Sequence, residues 1–64
     1  MQRNELQRGY VVAYLFHGVL MYGRVAHLGV SVKCRELVWI RRLSEMGEGL
    51  LDCVNISAIQ GILK

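Results

Sequence analysis

Polar residues fill Met1 to Arg8, and from Gly9 the chain turns apolar and β-branched, punctuated by Gly18, Gly23 and Gly29. Asn4 to Arg8 reads as a short N-terminal helix that stops before Gly9, a natural helix end. So short a helix needs tertiary packing to persist. The Val, Tyr, Phe and Leu vocabulary that follows predicts strands. Tyr10 to Phe16 is the first, His17-Gly18 a tight turn, and Val19 to Leu28 the second, with a bulge or sharp bend at Gly23. Gly29 marks the next turn.

Val30 to Leu43 predicts a third strand or a strand pair. Val30, Val32 and Cys34 share one parity, whereas Leu37 and Trp39 fall on the other. A period of two cannot change face without a bulge, a turn or burial on both sides, which places a bend around Lys33 to Glu36. Ser44 to Gly49 is a loop, Leu50 to Asn55 a strand, Ile56-Ser57-Ala58 a short turn, and Ile59 to Leu63 a last strand. The fold class expected is all-β: a single domain over 1–64, built as a small five-stranded barrel with a helical lead-in.

Both faces of the early strands are apolar. Val11, Ala13 and Leu15 lie on one side, and Tyr10, Val12, Tyr14 and Phe16 on the other. Composition says the same, at 53% hydrophobic against 20% charged. A chain of 64 residues buries only about 60% of its unfolded surface, so it sits near the edge of independent stability. Two cysteines, Cys34 and Cys53, exclude a disulfide framework. Association is the remaining rescue. Hiding roughly 500–1,000 Å² of the second face per subunit contributes on the order of 10–25 kcal/mol before association costs are subtracted.

The formal net charge of +3 is compatible with nucleic acid or an anionic membrane without pointing to either. The polar start leads into no cleavage site, so a reduced, cytoplasmic compartment is expected. The apolar run from Tyr10 to Val32 is long enough for a membrane span, but Arg24 near its centre costs about 2.5–3.5 kcal/mol on insertion scales. No membrane partner is expected.

Candidate chemistry is sparse. His17, His27, Cys34 and Cys53 are spaced 10, 7 and 19 residues apart, which matches no compact zinc signature. Neither metal nor cofactor is expected. No phosphate loop or nucleophile arrangement is present, and Glu36, Glu45, Glu48 and Asp52 read as solvated strand-end and loop residues, so catalysis is not expected. Lys33, Arg35, Arg41 and Arg42 form the densest basic cluster, with Trp39 among them. That combination suits a phosphate-tracking strip with a stacking platform. The blander reading is a solvated sheet surface with Trp39 in a core or interface. Arg3 and Arg8 add to a basic face or simply solvate the lead-in, and Met21 and Met46 read as packing.

The segment Leu15 to Val25 resembles the first motif of the Sm and Hfq family: a Leu, a Gly three on, a second Gly five further and an aliphatic residue two beyond, matched by Leu15, Gly18, Gly23 and Val25. The tail from Val54 to Ile62 looks like the second motif of the Hfq branch, running through an Ala58-Ile59 step. The resemblance implies a Sm-like barrel, self-association into a hexameric or heptameric ring, and non-catalytic binding of single-stranded RNA. The family's acidic and amide residues after the second strand are replaced by His27, Leu28 and Gly29, and the basic pair of the Hfq tail by Ile56 and Ser57. The family's base pocket lies between those turns, so the resemblance puts His27, Asn55 and Ser57 at its positions. The alternative is an SH3-like interaction or assembly module that uses the same barrel without nucleic acid.

Overall fold

The computed structural model describes residues 3–43 and 49–63. Five antiparallel strands form one sheet: β1 (Val11–Phe16), β2 (Val19–Leu28), β3 (Leu37–Arg42), β4 (Leu51–Asn55) and β5 (Ile59–Ile62). Their order across the sheet is β4-β3-β2-β1-β5, so the last two strands in sequence occupy opposite edges. A 3-10 turn of three residues, Ile56–Ala58, joins those edges. In a flat sheet they would stand about 19 Å apart at four strand spacings. Such a turn advances only ~6 Å. The sheet must therefore curl until its edges approach each other.

Curling settles which apolar face is the core. Val12 and Tyr14 of β1 point inward with Val25, Val38, Ile40, Val54, Ile56 and Ile59. Val11, Ala13 and Leu15 take the outer side with Leu20 and Tyr22, their cross-strand neighbours or near-neighbours on β2. The outer face keeps Leu15, Leu20, Tyr22, Leu43, Leu51 and Leu63 exposed, in line with the apolar excess of the sequence. Among the described residues no helix is long and apolar enough to cross a membrane.

The β1–β2 turn forms at His17-Gly18 as expected. Both residues have positive φ, 52° and 78°, which a two-residue type I′ hairpin requires. Of the bulge or sharp bend expected at Gly23, the bulge does not form there. Gly23 pairs regularly with Val12 on one side and Arg42 on the other. Its missing side chain serves packing instead: a Cβ there would collide with Ile40 Cγ2 and come within 2.7 Å of the Arg41 carbonyl oxygen. The register shift of β2 against β3 falls later, between Val25 and His27, and a second one interrupts β1 against β5 between Ala13 and Tyr14.

Two further expectations are corrected. No N-terminal α-helix forms; Arg3–Glu5 makes a single 3-10 turn, and the chain then folds back through a bond from the Tyr10 amide to the Gln7 carbonyl at 3.1 Å. Five residues cannot repay the cost of a helical nucleus, and the buried Leu6 side chain anchors the segment instead. Nor does a strand start at Val30. Val30 and Val32 are 84% and 88% exposed, and residues 32–36 are turns, as expected for the bend, closed by bonds from Cys34 to Ser31 and from Leu37 to Cys34. Gly29 has no room for a side chain beside the Cys34 backbone. That close approach folds the loop onto its own base. The expected loop over Ser44 to Glu48, with Glu45, Met46 and Glu48, lies outside the described residues.

Candidate nucleic-acid interface

The register of β2 on β3 gathers the chemistry on the outer face. His27 stands opposite Trp39, and Trp39 opposite Cys53, in one cross-strand row. The two aromatic rings lie 5.2 Å apart between centroids, tilted by 57°. In the neighbouring row Arg24 faces Arg41, which faces Leu51. Simple alternation would put Arg24 and His27, three residues apart, on opposite faces. The extra residue at Ala26, in the register shift, brings them to the same one, a bulge re-aiming a side chain.

Each of the paired arginines is held by a backbone oxygen. Arg24 Nη1 donates to the Gly9 carbonyl at 2.6 Å, and Arg41 Nη1 to the Gly49 carbonyl at 2.8 Å. Neither forms an ion pair with a carboxylate among the described residues. Like charges directly opposite on a sheet face are destabilising. In the sequence Arg24 weighs only against a membrane span; the signal of its surface role is an Arg inside an apolar strand.

The remaining basic residues do not form one cluster. Lys33 and Arg35 are exposed on the 29–36 loop, at the end of β3 where Leu37 pairs with Asn55. Arg41 and Arg42 close the opposite end of the strand. Asn55 and Ser57 are exposed and next to each other, but Asn55 Oδ1 accepts a hydrogen bond from the Ser57 amide at 3.0 Å and so caps the 3-10 turn. Arg8 is exposed on the lead-in.

Arg42 turns away from the surface row. Its Nε and Nη2 donate to the two oxygens of Asp52 at 2.6 and 2.9 Å, and the Tyr14 hydroxyl donates to the same carboxylate at 2.8 Å. The guanidinium also sits 5.2 Å from the Phe16 ring centroid. Asp52 is thus not a solvated residue, as its sequence position suggested, but 5% exposed. The Arg42 guanidinium holds its carboxyl below the usual carboxylate range against the opposing effect of burial, with Tyr14 helping. Burial, then the bond to Asp52, pushes the Tyr14 hydroxyl well above the usual tyrosine range. Asp52 in turn raises the pKa of Arg42. A carboxylate with both oxygens occupied is a tie between β1, β3 and β4. It spans the curled sheet from inside.

Among the described residues no three His, Cys, Asp or Glu side chains gather as a metal site. Both cysteines are free, Cys34 half-buried and Cys53 exposed. No family model, curated protein or solved structure matches the chain. The functional reading rests on its own residues and strand order.

Proposed function

We propose that this chain is a Sm-like barrel subunit that assembles edge to edge into a ring and binds single-stranded RNA without catalysis. The observation that carries the reading is the sheet order β4-β3-β2-β1-β5, which leaves β4 and β5 as the two outer strands of one curled sheet. An unpaired edge is a template for another strand, and protein folds cover it, charge it or pair it. Pairing β4 of one copy with β5 of the next is a head-to-tail contact, which closes into a ring when the rotation per subunit divides the circle. The exposed leucines of the outer face supply apolar surface for that assembly. Arg24, Arg41, Lys33 and Arg35, all exposed, supply phosphate contacts, and His27 and Trp39 are the aromatic groups beside them.

Native mass spectrometry with a filter-binding series on short oligoribonucleotides tests both halves. The expected result is a hexamer or heptamer whose RNA affinity falls linearly on a log–log plot against salt. A monomeric mass contradicts the ring, and no binding at low salt contradicts the RNA reading. One feature favours a second reading, an SH3-like assembly module: the exposed Leu15 and Leu20 pair across the β1–β2 hairpin two rows from Arg24, outside the basic rows. An assembled protein that binds a protein partner and no RNA supports that reading.

A further inference from the structure

We propose that the outer face of β2 and β3 is a stacking platform for single-stranded RNA. A base lies against Trp39 and His27, while the adjoining phosphates meet Arg24 and Arg41. This rests on the RNA-binding reading above and assigns the surface that carries it. Two features of the face converge on an anionic strand with planar groups, and one bulge brings them together. Two arginines occupy directly opposed positions on β2 and β3, their guanidinium groups bonded to the Gly9 and Gly49 carbonyls and without a carboxylate partner among the described residues. Their remaining N–H donors suit phosphate oxygens, the planar fork being the preferred geometry for that group. Next, one row away and about 7 Å along the strand, an exposed His27 and a half-buried Trp39 present their rings at 5.2 Å.

A single irregularity of β2 creates the juxtaposition. Without the extra residue at Ala26, either His27 or Arg24 would point into the core. The same bulge keeps Val25 and Leu28, likewise three residues apart, both on the core side. On the outer side it leaves an aromatic pair and a cationic pair on one surface. Arg42, the other arginine of β3's end, is tied to Asp52 and takes no part. Among the described residues Trp39 and His27 offer the platform ring faces, so it accepts bases by stacking. It therefore prefers unstacked single strands to duplex and is tolerant of sequence.

Trp39 is the only tryptophan of the chain, so its emission reports the site directly. Titration with a single-stranded oligoribonucleotide is expected to quench it. A duplex of the same length, or an abasic strand with the same phosphates, leaves most of the signal. Trp39→Leu is expected to weaken binding about five- to 150-fold, the range for losing one base–aromatic stack, and Trp39→Phe to retain most of the affinity. Arg24→Gln and Arg41→Gln each lower the salt slope by about 0.7, and circular dichroism verifies that each variant keeps its strands. RNA binding by the wild type with unchanged Trp39 emission and an unaffected Trp39→Leu variant overturns the platform and leaves the RNA reading standing. Absence of wild-type binding overturns both. Equal quenching by the abasic strand replaces stacking with simple phosphate attraction and also refutes the proposal.

Discussion

Replacing Asp52 with Asn tests the tie that crosses the curled sheet. The substitution keeps the shape of the side chain and removes the charge that Arg42 and Tyr14 both address. Breaking a buried ion pair by neutralising one partner costs about 3–5 kcal/mol when the survivor is left in a dry interior. Here the Arg42 side chain keeps 19% exposure against 6% for Asp52, so water relieves part of that burden and about 3 kcal/mol is expected. A domain this small holds only a few kcal/mol in its core, so the variant loses a large share of its stability. Urea denaturation followed by circular dichroism, at one fixed protein concentration so that any self-association enters every variant equally, measures it. Replacing all three members, Asp52→Leu with Arg42→Met and Tyr14→Phe, is expected to recover most of the loss, since neither a lone charge nor an unpaired hydroxyl then remains inside. An Asp52→Asn protein within about 0.5 kcal/mol of wild type, the range of an ordinary surface substitution, refutes the tie.

The same network sets two pH limits. Asp52 has a lowered folded-state pKa, so its contribution is present above the unfolded value of about 3.9 and fades as pH falls toward the folded one; acid titration of stability shows this slope in wild type and not in Asp52→Asn. Tyr14 has a raised pKa, so its contribution is complete below about pH 10 and lost as pH climbs above that, a loss that Tyr14→Phe abolishes. Gly23→Ala places a Cβ against Ile40 and the Arg41 carbonyl, and an overpacking cost of roughly 1–3 kcal/mol is expected in the same urea experiment; no change means the close approach relaxes freely. His17→Asn stabilises by about 0.5 kcal/mol, because Asn tolerates the positive φ of the turn better than His, read as a rise in Tm. Val32→Ser leaves stability within about 0.5 kcal/mol of wild type, as befits a side chain in solvent; a larger loss returns it to a strand or core.

The strands of this chain were largely legible because their residue vocabulary is local. β2 begins and ends where the sequence puts it, and β1, β4 and β5 differ by one residue at one end. Val30 and Val32 defeated the reading because alternating valines look the same in a strand and in an exposed loop. The face change that the sequence did register was the end of the loop, at the start of β3. A glycine in a strand signals either irregularity or close approach, and at Gly23 only the neighbours, Ile40 and Tyr14, show the close approach. Asp52 was unreadable for a longer-range reason: its partners lie 10 and 38 residues away in sequence. The aromatic–arginine face was half visible. Trp39 and Arg41 share a parity on β3, but the bulge that brings His27 and Arg24 onto it breaks the rule by which faces are read.

The three-residue turn between β4 and β5 has a consequence for any ring built from these edges. In such a ring both joints of a subunit, one to each neighbour, would hang from opposite ends of Ile56–Ala58. The turn would then be the subunit's protractor: its pitch would help fix the angle through which one copy hands on to the next, and so how many copies complete the circle. Asn55, whose side-chain oxygen pins the turn through the Ser57 amide, would belong to that gauge rather than merely to a surface.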